Sequence, residues 1–455
     1  MDTIEYFLEV VKSYVWGAPL LILLFGTGLY LTYLLGGVQF RYLFYAIQQV
    51  FAPKKAGAKG DISHFQSLMT TLAGAIGTGS IVGVATAITV GGLGALFWMW
   101  VTALFGMATK YSESLLAVKY RVIDKKGEMV GGPMEYMDRG LGWKKMALFF
   151  SIIGCFATIT TGNLVQANSI AESLDNIAGI NPWVTGSFLA ALVSLVILGG
   201  VKSIGKVAGV LVPLMALFYI GGGTIILAYH YAKIPEALSL ILSSAFTGQA
   251  AFGGFAGSSM VLAIEMGVSR SVFSSEAGFG IPSIAAASAK TDNAGRQAMV
   301  AMTGSLVSTV VVCTITGLVI AVSGLLGTTT STGETINGAT LAIEAFASAM
   351  PIGRYVVSMG LILFAFSTLI AWAFYGEKCC EYILGETAVL PYRILYNLAI
   401  IPGAVVKLSI VWHLADICNG LMVMPNLLAL LGLSSVICAE TKSFLKIADV
   451  ESQAV

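Results

Sequence analysis

Long uncharged runs of apolar residues alternate with short charged segments along the whole chain. The runs are Ser13–Phe40, Ile62–Thr109, Met146–Ala171, Asn176–Val201, Val207–Ala232, Ala237–Ile264, Gln297–Gly333, Tyr355–Gly376, Ile394–Val406 and Ile417–Ala439. A membrane-crossing helix needs about 20 mostly apolar residues. The second run is long enough for two helices, which Gly91-Gly92 divides, and the ninth gains length when it extends past Lys407 to Val411. The pattern predicts an all-α polytopic membrane protein with eleven transmembrane helices. Two further segments carry patterns of their own. Ser271–Ala298 is rich in small residues and is expected as a cytoplasmic surface helix. Gly338–Met350 is too short to span, and its apolar spacing predicts an amphipathic lid helix on the outside.

The basic residues orient these spans. With the N-terminus outside, alternation puts the Arg41–Asp61 loop, the segment between spans three and four, Arg270 and the C-terminal tail in the cytoplasm. Of the 25 Lys and Arg, only Lys12, Lys233 and Arg354 then fall outside, with Lys110 and Lys407 inside helices. A miscounted helix would scramble that asymmetry. Composition agrees: 57% of residues are hydrophobic and 11% charged, against about 25% charged in a soluble domain. A net charge of +1 implies no nucleic-acid partner. Met1–Lys12 carries Asp2, Glu5 and Glu9, unlike the basic start of a signal peptide. The six cysteines lie in apolar stretches without CxxC spacing and read as small apolar residues. His64, His230 and His413 are too scattered for a metal site.

Two spans carry glycine clusters in mid-helix, where each glycine costs about 1 kcal/mol relative to alanine. The first begins Gly74-Ala75-Ile76-Gly77-Thr78-Gly79-Ser80, and the second Gly254-Phe255-Ala256-Gly257-Ser258-Ser259. They lie five spans apart, so the two helices cross in opposite directions. Paired interrupted helices in two inverted halves point to the substrate site of a transporter. Unwinding frees backbone N–H and C=O groups that lipid cannot satisfy, so they must line a cavity and bind something. Freed amides at a half-helix N-terminus favour a carboxylate; freed carbonyls favour a cation or an ammonium. The competing reading, close helix packing through small residues, loses weight because the clusters are paired. The string GTGSIVG is one residue too long for a dinucleotide fingerprint, and no βαβ unit surrounds it.

At these residues the chain resembles the alanine or glycine:cation symporter family, whose members are similar in fold to LeuT-type transporters. The resemblance is carried by Thr71–Ile88 (TLAGAIGTGSIVGVATAI), Gly91–Trp100 (GGLGALFWMW), Gly162–Ala171 (GNLVQANSIA), Gly253–Gly257 (GGFAG), Phe273–Gly280 (FSSEAGFG) and Phe364–Lys378 (FAFSTLIAWAFYGEK). It implies two inverted five-helix repeats, 62–235 and 236–440. These follow an N-terminal extra helix and loop at 1–61 and precede a cytoplasmic tail at 441–455. It also implies sodium-coupled symport of L-alanine or glycine, with D-alanine admissible by size, across the cell membrane, with no enzymatic step and no organic cofactor. Proton coupling is the nearest alternative, and an ion channel, which needs a continuous pore, is the rival from another class.

Roles follow from the resemblance. The substrate carboxylate is expected on the amides of Gly77, Thr78 and Gly79. The ammonium is expected on carbonyls of Gly253, Gly254, Phe255 and Ala256, with Ala75. Gln166 and Asn168 are polar residues in an apolar stretch and must face partners, either substrate or another helix. They point in different directions, so no more than one of them is expected to touch substrate. Sodium is expected among the carbonyls of Ala73, Ile76 and Phe364 and the hydroxyls of Ser367 and Thr368, an all-oxygen set that suits a hard cation. Phe255, Phe366 and Trp372 are expected to cap the pocket and limit its size. Glu172, Lys110, Glu265 and Asp416 read as gate or interface charges near helix ends.

Overall fold

The computed structural model describes residues 3–53, 57–247, 259–329, 335–406 and 408–453. The described residues are helical almost throughout, with one two-stranded hairpin among them, Val122–Ile123 paired with Met129–Val130. We number the main helices α1 (Thr3–Val15), α2 (Ala18–Leu34), α3 (Leu43–Phe51), α4 (His64–Ala75), α5 (Val82–Gly91), α6 (Gly94–Lys119), α7 (Lys144–Asp175), α8 (Pro182–Ile197), α9 (Gly200–Tyr229), α10 (Ile234–Thr247), α11 (Met260–Ser275), α12 (Ala294–Ser323), α13 (Gly338–Ala349), α14 (Gly353–Leu384), α15 (Val389–Gly403), α16 (Leu408–Gly432) and α17 (Ser434–Gln453). By length and composition, α7, α9, α12, α14 and α16 are each able to cross a membrane. The pair α1–α2, bent by 40°, is a sixth candidate.

Local chemistry sets the boundaries that matter for function. Ser63 and Gln66 form a reciprocal capping box, with Ser63 Oγ accepting from Gln66 N at 3.1 Å and Gln66 Oε1 accepting from Ser63 N at 3.0 Å, so α4 starts cleanly after its loop. α5 stops at Gly92, whose φ of 71° is open to glycine and strained for other residues. That turn lets α6 pack closely: a side chain on Gly94 would meet the Ser244 backbone of α10 at 2.5 Å.

The loops gather at two ends. At one end Tyr45 donates to Glu451 (2.7 Å), Arg296 pairs with Glu451 (2.8 Å), and Arg121 donates to the carbonyls of Lys59 (2.9 Å) and Ala287 (2.8 Å). At the other end Lys12, Glu172, Arg270, Asn337 and Asp416 line one vestibule of about 420 Å³. Lys12 and Arg270 both reach Asp416, at 4.0 Å and 3.4 Å. Arg270 thus lies at the end opposite to the one the charge threading gave it.

That shift has a cause in the chain. Ala237–Ile264, expected as one span, is divided between α10 and α11. The segment Ser271–Ala298, expected as a surface helix, is interior: Ser274 and Ala285 are fully buried, and Glu276 and Ile284 are 1% exposed. Its small side chains let it thread between helices rather than lie on top of them. A helix, α13, stands at 338–349 where a lid helix was expected, and it buries Leu341, Ala342, Ala345 and Phe346.

Candidate functional site

The first helix breaks where its glycines predict. α4 ends at Ala75, a single turn spans Thr78–Ser80, and α5 restarts at Val82. Gly77 N bonds to Ala75 O (3.0 Å), Ser80 N to Gly77 O (3.1 Å) and Ile81 N to Thr78 O (3.2 Å). Among the described residues, the amides of Thr78 and Gly79 donate to no backbone carbonyl, and the carbonyl of Ile76 accepts from no backbone amide. Both kinds of freed group are therefore available to a ligand in a buried setting.

A second break faces it between α11 and the short helix Ser283–Ala287, with positive φ at Glu276 (56°), Gly278 (99°) and Gly280 (76°). The expected Gly253, Gly254, Phe255 and Ala256 lie outside the described residues. The two interruptions are in register. Gly91 lies against Leu262 and Met266, Gly79 against Phe273, and Gly74 against Glu276. As one chain descends the other ascends, so the two broken helices are antiparallel. The freed amides of this second break are already occupied: Glu113 Oε1 accepts from Gly278 N (2.9 Å), Gly280 N (3.1 Å) and Asn426 Nδ2 (2.7 Å).

The oxygen cluster expected for sodium assembles between α4 and α14. Ser367 Oγ lies 3.1 Å from Ala73 O and 2.8 Å from Phe364 O. Thr368 Oγ1 lies 3.1 Å from Ala73 O, 3.0 Å from Phe364 O and 3.4 Å from Gly74 O. The hydroxyls thus back-bond to their own helix and also reach across to the break. Ile76, three positions on from Ala73, is fully buried.

Gln166 and Asn168 separate as their spacing implies. Gln166 donates to Thr161 O (3.0 Å), while its Oε1 has no partner and lies 3.6 Å from where a Cβ on Gly77 would be. Thr78 Oγ1 is likewise buried without a partner. Asn168 turns away and donates to the carbonyls of Gly403 (3.3 Å) and Val406 (2.7 Å). Trp372 packs against Gly162, where a Cβ would meet its Cγ at 2.6 Å, and its indole N–H donates to Glu276 Oε1 at 2.8 Å. Phe366 does not join this site. It packs against a separate cluster that includes Ala167, Ile170 and Leu369, about 100° round α14 from Ser367 and about 160° from Thr368.

Three charged residues at this centre escaped the reading of the sequence in these roles. Glu113 and Glu276 were not singled out, and Lys110, expected near a helix end, is 1% exposed in the middle of α6. The signal was available: between Arg270 and Lys290 the sequence has one charge, Glu276, within Ala-Gly-Phe-Gly-Ile-Pro. A lone carboxylate beside a glycine-proline cluster marks an interrupted membrane segment as well as a surface loop.

Several known proteins are similar to this chain. A "Sodium/alanine symporter AgcS" from Methanococcus maripaludis is 49% identical over 450 residues, covering 98% of each chain. A "Probable sodium/glutamine symporter GlnT" from Bacillus subtilis is 33% identical over 97% of this chain and 91% of its own. Among solved structures, MhsT in complex with L-phenylalanine matches with a TM-score of 0.57 at 15% identity, covering 86% of this chain and 98% of that one. A manganese transporter from Eremococcus coleocola matches with a TM-score of 0.56 at 12% identity, over 85% of this chain and 83% of its own. At such identities these two share the fold alone, which is that of LeuT-type transporters. The Sodium:alanine symporter family model matches residues 1–454, and the chain belongs to that family of membrane transporters, which are not enzymes.

Proposed function

We propose that this protein couples sodium to the symport of small neutral amino acids, L-alanine and glycine, by alternating access across the cell membrane. The reading takes eleven spans, the N-terminus outside and the C-terminus in the cytoplasm. Its repeats are inverted, the first within 62–235 and the second opening at Met260 rather than at 236. Sodium sits among the oxygens of Ala73, Ile76, Phe364, Ser367 and Thr368. The substrate carboxylate takes the amides of Thr78 and Gly79, with Gln166 and Trp372 at its sides.

The observation that carries this reading is the difference between the two breaks. The second has its amides filled by Glu113, while Thr78 N and Gly79 N are free beside the unpartnered Thr78 Oγ1 and Gln166 Oε1. A buried cluster of unmet donors and acceptors is costly unless a ligand completes it. An amino acid supplies an anion for the amides at the edge of a half-helix, next to a cation site of protein oxygens. The vestibule reaches Val82 and Gly83, at the outer half of the first broken helix, and so leads toward the break.

The test is binding of labelled alanine to the purified protein in sodium and in choline, at constant ionic strength and pH. Affinity should rise with sodium. Equal affinity in both buffers would overturn the coupling.

A further inference from the structure

Lys110, Glu113 and Glu276 meet where the two interruptions face each other, and all three are essentially buried. Glu113 Oε1 is saturated by two amides and Asn426. Lys110 Nζ donates to Ser275 O at 2.6 Å, closing the end of α11. Glu276 is different. Its Oε1 accepts the Trp372 indole N–H, but its Oε2, in a residue 1% exposed, has no partner. Both carboxylate oxygens lie 3.3 Å from where a Cβ on Gly74 would be, so the carboxylate reaches the first break because that position has no side chain.

We propose that Glu276 Oε2 receives the ammonium group of the substrate. The proposal rests on the amino-acid reading above and names the residue for the one end of the zwitterion left without a partner there. Two lines support it. An ammonium brings three donors and no acceptor, and the groups without partners among the described residues include Glu276 Oε2 and Gln166 Oε1. A sodium ion would need several oxygens at this spot, and Glu276 brings only one free. The site is thus polar end to end: free amides at Thr78 and Gly79 for the carboxylate, a carboxylate at Glu276 for the amine. It selects α-amino acids over simple carboxylates and simple amines.

The experiment uses the full-length purified protein in saturating sodium, with labelled L-alanine as probe and unlabelled L-lactate, which carries a hydroxyl in place of the amine, as competitor. In the unmodified protein lactate should compete at least about tenfold more weakly than alanine, the size of one charge-assisted hydrogen bond. Glu276→Gln keeps an acceptor for the Trp372 indole. It should weaken alanine roughly tenfold to a hundredfold while leaving lactate binding unchanged, so that the preference for alanine disappears. Glu276→Asp should fall between. Thermal melting with and without sodium reports whether each variant is folded and still binds the ion. Lactate competing as well as alanine against the unmodified protein would overturn the proposal whether or not any variant folds. So would Glu276→Gln that binds alanine normally, or one that loses alanine, lactate and sodium stabilisation together, since that is a structural role. Absence of binding by both compounds to the unmodified protein would instead strike the amino-acid reading itself.

Discussion

Ser80 Oγ and Ser274 Oγ lie 3.3 Å apart although 194 positions separate them in sequence. The contact joins the two interrupted helices at their centres, and Thr316 Oγ1 extends it by donating to Ser80 O at 3.0 Å. Two backbones that have lost their helical hydrogen bonds are thus held side by side by small hydroxyls. Anything bulkier at either position would separate the freed groups that a ligand has to bridge.

Gly79 tests that closeness. A Cβ there would meet Phe273 Cδ1 at 2.5 Å, a separation real side chains do not adopt. Gly79→Val should therefore push the breaks apart and abolish alanine binding, while the membrane helices still assemble, since valine is tolerated in such helices. Binding of labelled alanine beside size-exclusion behaviour checks both halves. Normal affinity would show that the amides of this turn do not hold the substrate.

The oxygen cluster gives a second expectation. Ser367 and Thr368 each place a hydroxyl on Ala73 O, and each removed ligand oxygen is worth about 1–3 kcal/mol in a buried site. Ser367→Ala and Thr368→Ala should each raise the sodium concentration for half-maximal uptake, with the double variant worse. A double variant with the normal sodium dependence moves the ion elsewhere.

How much of this was legible in the sequence depended on what each signal measured. The first break was legible because Gly74, Gly77 and Gly79 interrupt an uncharged run, and glycine in a membrane helix has a cost that must be offset. The break at Glu276–Gly280 was not, because Arg270, Glu276 and Lys290 divide that segment into short uncharged pieces. The Glu276 charge is interior because Trp372 bonds to it and Lys110 lies nearby, and no local window can see partners that far along the chain. Phe366 failed for a simpler reason. Its position two residues before Thr368 turns it about 160° round the helix from that hydroxyl, and its side chain packs in a separate cluster.

Glu113 yields a stability prediction. Its Oε1 satisfies two freed amides and Asn426, and Asn426 is tied in turn to Gly278 O (2.8 Å) and the Tyr136 hydroxyl. Glu113→Ala leaves two buried N–H groups without an acceptor, at about 1–3 kcal/mol each. The variant should melt well below the parent, and Glu113→Gln, which restores a neutral acceptor, should recover part of the loss. Melting of purified protein in detergent, followed by tryptophan fluorescence, measures it. An unchanged Glu113→Ala transition would mean that the second break finds other acceptors.

Substrate size should follow Trp372 and not Phe366. Trp372 is 1% exposed, seated on Gly162, and held in orientation by its bond to Glu276; Phe273 closes the side facing Gly79. We expect a ligand whose carboxylate takes the Thr78 and Gly79 amides to find room between these rings for hydrogen or methyl, and little for a branched chain. Glycine, L-alanine and D-alanine should therefore compete with labelled alanine, and leucine should not. Phe366→Ala should leave that order unchanged, because Phe366 packs against a separate cluster that includes Ala167 and Ile170. Trp372→Phe keeps an aromatic ring but removes the indole N–H and part of its bulk. It should weaken alanine severalfold while improving the relative competition of larger side chains. Leucine competing as well as glycine in the unmodified protein would show that the pocket is not closed by these rings. A changed preference in Phe366→Ala would return that residue to the cap and require α14 to turn by about half a revolution when substrate binds.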